Sequence, residues 1–243
     1  MPEPGFSQKI AGAACALLIG LAKTGLPSAG TLAVPLAVYA VGDARRAAGW
    51  LLPLLCAGDV LAVASWWRYA DFRKLLQLTP WVVGGMLLGG WALAGRETLV
   101  RRLVGVLVLV SIAWSVLDRA RKSSGRTSGA LTSAYGLAAG FATTVANAGG
   151  PILNAYLYSH ALPTSGFIAT QAWFFFFVNA MKVPIYLLHH LIDGGTLGSD
   201  AWLLPLTLLG GVAGRAVARR LPQRIFDSLV LALSTIAAVT LLL

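Results

Sequence analysis

Helix-breaking polar residues set into apolar runs long enough to enter a membrane are the feature that most limits what this chain can become. The first such stretch is KTGLPSAGTLAVP, residues 23–35; the second is TTVANAGGP, residues 143–151. Both follow the same approach, GLAKTG from Gly20 and GFATTV from Gly140. Gly, Pro, Ser, Thr and Asn at such places leave backbone N–H and C=O groups without helical partners. In lipid that is tolerated only where protein or a water-filled cavity covers them. Two interrupted segments in corresponding positions of two halves point to a binding site for a polar solute near the membrane midplane.

The rest of the chain supports a membrane setting. Of 243 residues, 57% are hydrophobic and 12% charged, about half the ~25% charged residues of a soluble domain. Several apolar runs reach the ~20 residues needed to span a bilayer. The expected class is an all-α polytopic membrane protein. No small-residue cleavage site ends a short first apolar run, so that run reads as structural rather than as a removed signal. The formal net charge of +10 sits in short clusters between apolar runs, which fits the orienting of helices in a bilayer and argues against a nucleic-acid partner. Cys15 and Cys56 show no redox or metal spacing and read as small core residues.

Residues 118–129, DRARKSSGRTSG, form the one long polar stretch and divide the chain nearly in half. Residues 1–117 hold a broken segment (7–41) and helices at 47–67, 76–95 and 98–117. Residues 130–243 repeat the plan, with a broken segment (130–160) and helices at 167–188, 202–218 and 222–243. Gly20 aligns with Gly140, Gly49-Trp50 with Ala172-Trp173 and Pro80 with Pro205, at offsets of 120, 123 and 125. The expectation is two homologous repeats, each a broken or re-entrant segment followed by three transmembrane helices. If each broken segment returns to its side of entry, loops 68–74, 119–126 and 215–224 share one face with eleven Lys/Arg against six on the other. Crossing by all eight segments gives a near-even split. The excess of basic residues on the cytoplasmic side favours the first scheme, which makes the repeats inverted and the polar linker cytoplasmic.

Charged residues inside the apolar runs carry the chemistry, because each costs about 2.5–3.5 kcal/mol at a helix centre unless it meets a partner or an aqueous path. Lys23, Asp59 and Lys182 qualify. Asp59 and Lys182 hold equivalent places at the offset of 123. They read either as an ion pair locking the halves together or as parts of a site. In the second case a lysine balances an anion, and Asp59 orients it or carries a proton. Lys23 has the further option of snorkelling to an interface.

The breaks add neutral ligands. Unpaired N–H groups at half-helix N-termini suit an anion, which selects Thr24, Ser28, Gly30 and Thr31 in the first break. Thr143, Thr144, Asn147, Gly149 and Gly150 are their counterparts in the second, with Pro151 fitting the first turn of a new helix. Asn154 follows one turn later. Gln171 and Asn179 lie on the helix that bears Lys182, Asn179 nearly on its face. The clusters GGMLLGG (84–90) and GGVAG (210–214) read instead as close helix packing. Trp66, Trp67, His189 and His190 sit at helix ends and read as an interfacial belt. WFFFF (173–177) reads as lipid-facing and packing surface. No P-loop, HExxH, nucleophile elbow or histidine cluster occurs, so neither an enzyme, a bound metal nor a cofactor is expected.

With these motifs the chain resembles the TauE/SafE family of membrane proteins, the sulfite exporters. The resemblance rests on GLAKTGLPSAG (20–30), ARRAAGWLLPLLCAGD (44–59), GFATTVANAGGPILNAYLY (140–158) and QAWFFFFVNAMKVP (171–184). It implies a bacterial inner-membrane secondary transporter that exports a small sulfur-containing anion such as sulfite, sulfoacetate or another organosulfonate. The expected mechanism is alternating access, the halves rocking about a site where the two breaks meet. The lipid bilayer, the anion, a coupling proton and a second copy of the chain are the partners this allows. Two rivals stand beside it: a carrier that binds or is driven by a cation, through Asp59 and unwound carbonyls, and a non-transporting assembly component.

Overall fold

A computed structural model describes residues 5–27, 29–92, 106, 109–113, 116–117, 129–188, 191–192 and 194–242. Among them the ordered elements are helical: α1 (Phe6–Thr24), α2 (Ala33–Val41), α3 (Ala44–Trp66), α4 (Phe72–Ala92), α5 (Gly129–Ala146), α6 (Gly149–Ser159), α7 (Thr164–Leu188), α8 (Gly194–Arg220) and α9 (Gln223–Leu242). Spans at Phe6–Thr24, Arg46–Tyr69, Phe72–Ala92, Thr164–Leu188 and Asp200–Arg220 are long and apolar enough to cross a membrane. Polar first turns carry α4, α7 and α8 several residues upstream of their apolar runs, so these helices start earlier than the sequence pattern indicates. Residues 118–128 of the expected linker and most of the expected helix 98–117 lie outside the described residues, and Gly129 already opens α5.

The chain divides into two compact units, Met1–Arg68 with Ala172–Leu221, and Tyr69–Gln171 with Pro222–Leu243. In the first unit, the break after α1 is a reversal. Gly25 and Leu26 N–H groups donate to the Leu21 carbonyl at 2.9 and 3.1 Å, and a 3₁₀ turn at Ala29–Leu32 leads into α2. α2 then runs back along α1: the Cys15 thiol donates to the Ala33 carbonyl at 3.3 Å and the Tyr39 hydroxyl to Ser7 Oγ at 3.3 Å. At nine residues α2 reaches about 14 Å, too short to cross a bilayer. Gly42, left-handed at φ 81°, closes it. Asp43 caps α3 by accepting from the Arg46 N–H at 2.7 Å.

The second unit builds its hairpin with other residues. α5 ends in a turn that keeps its last carbonyls bonded, with Ala148 N–H donating to the Ala142 carbonyl and Asn147 N–H to the Thr143 carbonyl. Asn147 takes the left-handed turn at φ 51°. α6 returns along α5, Tyr156 lying edge-on to Tyr135 at 5.7 Å between ring centroids. Both broken segments are therefore helical hairpins.

Glycine lets each hairpin pack hard against one long helix. In the first unit α1 and α8 run in the same direction. A Cβ on Gly20 would overlap the Thr207 carbonyl oxygen, and one on Gly210 the Leu17 carbonyl. One on Gly214 would come 2.5 Å from Thr24 Oγ1. In the second unit α4 and α5 run in the same direction too. Gly140 meets the Val82 carbonyl, Gly85 the Leu137 carbonyl, and Gly89 comes 2.9 Å from Thr144 Cβ. The clusters at 84–90 and 210–214 thus serve backbone approach, as their small size indicated. Cys15 belongs to the first unit's core, with Ala16, Ile19, Ala33, Ala37 and Trp50 around it.

Filling one of these contacts forces the helix backbones apart, an overpacking cost of about 1–3 kcal/mol or more. Gly210→Leu is expected to lower the unfolding midpoint of the detergent-purified protein sharply or abolish the folded peak. Gly90→Ala, where a Cβ meets nothing within 4 Å, should leave the midpoint in place. Equal midpoints for both variants would remove glycine packing as the cause of the α1–α8 approach.

Candidate anion site in the first unit

Three helices bring buried charge together in the first unit. Lys23 lies in the last turn of α1, where the negative end of the helix dipole favours a cation by about 0.3–1 kcal/mol. Its alkyl stem crosses α3 at Gly58, where a Cβ would come 3.0 Å from Lys23 Cγ. The ammonium thereby reaches Asp59, Nζ to Oδ1 2.5 Å. The other carboxylate oxygen accepts from Asn179 Nδ2 of α7 at 2.6 Å. Phe175, one turn before Asn179, places its ring 4.4 Å from the Lys23 ammonium, a cation–π contact of about 0.5–2 kcal/mol. Asp59 is 0% exposed.

Lys182 completes the group. It follows Asn179 by three residues and shares its helix face. It is 1% exposed, with Lys23, Asp59 and Cys56 as its electrostatic neighbours. Phe175, Asn179 and Lys182 thus form one stripe of α7. Asp59 takes Lys23 as its ion-pair partner, where the sequence offset pointed to Lys182. Protonated, the two lysines exceed the single carboxylate by one positive charge in a desolvated place. Cys56 borders this cluster rather than serving only as a core filler.

The end of α1 is fixed by a second set of contacts. The Thr24 hydroxyl donates to the Gly211 carbonyl of α8 at 2.6 Å, so its proton is used in joining helices. Trp66 Nε1 donates to the Thr24 carbonyl at 3.0 Å, satisfying a carbonyl that the break leaves without a helical partner. Trp66 is buried rather than part of an interfacial belt, and the guanidinium groups of Arg215 and Arg219 lie 5.8 and 5.9 Å from its ring. Trp67 is exposed, and His189 and His190 lie outside the described residues. The run 173–177 is divided in its role, with Phe174 and Phe175 buried and Phe177 exposed. Nothing in the apolar pattern singles out Phe175; only its spacing of four from Asn179 and seven from Lys182 gives it away.

The remaining residues chosen from the sequence sort by unit. Gly30 sits in the turn of the first hairpin, where a Cβ would meet Ala22 Cβ at 3.4 Å. Ser28 and the side chain of Thr31 lie outside the described residues. Thr143, Thr144, Asn147, Gly149, Gly150, Asn154 and Gln171 belong to the second unit. There Thr144 donates to the Gly140 carbonyl at 2.9 Å. A Cβ on Gly149 would come 2.7 Å from the Ala139 carbonyl oxygen. Asn154 is fully buried in α6, and Pro151 lies in that helix's first turn. Asn147 and Gly149 therefore have local backbone reasons for their identity. Among the described residues no group of three or more His, Cys, Asp or Glu is arranged to hold a metal.

Removing one partner of a buried pair strands the other and costs about 3–5 kcal/mol, whereas replacing both with neutral groups of similar size costs less. Lys23→Met alone is expected to lower the unfolding midpoint strongly. The double variant Lys23→Met/Asp59→Asn should recover most of the loss. Additive losses in this double-mutant cycle would show that the two side chains are not coupled.

Comparison with known proteins places the chain in a family. No curated protein and no solved structure matches the chain. A family model described as sulfite exporter TauE/SafE matches residues 12–241. The chain is a multi-pass membrane protein of the TauE/SafE sulfite exporter family, a family of transporters rather than enzymes.

Proposed function

We propose that the protein is a secondary transporter that exports a small sulfur-containing anion, such as sulfite, sulfoacetate or a related organosulfonate, across a bacterial inner membrane. The observation that carries this reading is the pair of lysines gathered around a single fully buried acid. In this reading Lys182 faces the anion, and Lys23, held by Asp59 and Phe175, supplies the second positive charge. Asn179 positions Asp59 and in turn the lysines. A site of this kind binds by replacing the anion's water with fixed positive charge in a low-dielectric setting, where such charge acts more strongly than in water.

The duplicated plan is part of the same proposal. Its support is that the glycine contacts recur at the sequence offsets. Gly20–Thr207 corresponds to Gly140–Val82, Leu17–Gly210 to Leu137–Gly85, and Thr24–Gly214 to Thr144–Gly89, at 120 along the hairpins and 125 along the glycine-rich helices. Hairpins that return to their side of entry suit the basic-loop count that makes the repeats inverted. Alternating access then follows from two structurally related units. The cation-carrier reading loses ground, since Lys23 and Asn179 already occupy both Asp59 oxygens.

Thermal unfolding of the purified protein with sulfite, sulfate, sulfoacetate, taurine and sodium tests this. A ligand that binds the folded state raises the midpoint by mass action, by about 2.7 kcal/mol at a hundredfold its dissociation constant. The expected result is a shift with sulfite or a sulfonate that disappears in Lys182→Ala, while Lys182→Arg keeps part of it. A shift with sodium alone would overturn the anion reading. Equal ligand shifts in wild type and Lys182→Ala would remove Lys182 from the site. Saturable flux in proteoliposomes separates a carrier from an assembly component.

A further inference from the structure

A second buried acid of the first unit takes no part in the cluster around Asp59. The apolar pattern starts its helix at residue 202 and leaves Asp200 in a loop. In the structure α8 begins at Gly194, which puts Asp200 in the helix's second turn, 2% exposed. Both carboxyl oxygens are buried and take no hydrogen bond from a described residue. Among the described residues, the helices packed on α8 are α1 and α3. Among the described residues none of their charged groups, Lys9, Lys23, Arg46 or Asp59, acts on Asp200, and the titratable group that feels it is the Cys15 thiol of α1.

An ionised carboxylate without a partner in such a place is far more costly than a protonated one. The surroundings therefore suit the neutral acid. Asp59 is the opposite case, with an ammonium and an amide set against its two oxygens. To move a proton, Asp59 must break an ion pair, whereas Asp200 needs only access to water. Position adds to the argument. Eleven residues separate Asp200 from Gly211, the residue whose carbonyl receives the Thr24 hydroxyl at the end of α1. At 1.5 Å per residue this sets Asp200 about 16 Å along α8 from the level of the break.

We propose that Asp200 binds the proton coupled to anion movement, a role resting on the transporter reading above. It is protonated when enclosed as seen here. It releases the proton when the surrounding helices admit water, and the exchange between carboxyl and carboxylate plus proton is the whole of its chemistry. The proton site and the lysine cluster thus occupy different levels of the same unit.

The test uses proteoliposomes holding the full chain, with an imposed pH gradient and sulfoacetate as the probe. Between about pH 6 and pH 8 the charge of this probe is constant, because its carboxyl titrates near the ordinary carboxylate range. Wild type is expected to accumulate sulfoacetate against its gradient. Asp200→Asn should keep the wild-type thermal shift with sulfoacetate and still equilibrate it downhill, but lose accumulation. Gradient-driven accumulation by Asp200→Asn at the wild-type level would overturn the proposal. A second readout does not depend on that variant. The infrared spectrum of wild type at neutral pH should contain the carbonyl stretch of a protonated carboxyl, shifted in Asp200→Glu. A wild-type spectrum without that band would equally sink the assignment. Absence of sulfoacetate binding and flux in wild type fails the anion reading instead, and the infrared measurement then decides Asp200 by itself.

Discussion

Asp59 with its two partners is the contact on which the first unit depends. A lone carboxylate or a lone lysine inside an apolar span costs about 2.5–3.5 kcal/mol unless it meets a partner or an aqueous path. Joined, they let three helices close over a polar interior. Lys23 brings the end of α1, Asp59 the middle of α3, and Asn179 the middle of α7. Each partner has its own local support. The dipole of α1 and the Phe175 ring favour the ammonium, and Gly58 clears the path of its stem. Lys182, buried one turn from Asn179, adds a second lysine to the same cluster, on which the anion proposal rests.

Close helix approach is what keeps the break beside this cluster in position. The end of α1 is unwound backbone that lipid does not tolerate bare. Gly25 sits so near Gly214 that a side chain there would overlap its carbonyl. Thr24 donates to Gly211, and Trp66 donates to Thr24. Three groups from α3 and α8 thus cover one turn. The second hairpin solves the same problem locally, by a turn with Asn147 left-handed and the N–H groups of Asn147 and Ala148 returned to the Thr143 and Ala142 carbonyls. The two breaks share an approach sequence but are closed by chemically different contacts, which fits the different residues at the turns themselves.

Asp59 and Asp200 differ as buried acids in a way that their sequence surroundings conceal. Both are single carboxyls near apolar runs. One is ringed by donors, the other by none among the described residues. The first is held by its partners; the second has the surroundings on which the proposed proton site rests. That division matters for any carrier in which charge balance and proton movement must be handled by separate groups.

Membrane class, helical content, the two breaks and the three costly charges were all legible in the residues alone. Apolar run length is set by bilayer thickness, and a charge or a Pro-Gly break inside such a run is rare enough to stand out. The glycine clusters were legible for the same reason: small residues are what close helices require. Which charges pair was decided only by the tertiary structure, because pairing depends on how α1, α3 and α7 lie beside one another. Lys23 reached Asp59 through the gap at Gly58, a route that an alignment of repeats cannot reveal. The roles of Trp66 and Phe175 were hidden because an aromatic residue in an apolar run carries no mark of what its ring or N–H will meet. Asp200 was hidden because helix starts extend past the apolar pattern, and burial two turns into a helix is a property of its neighbours, not of its sequence.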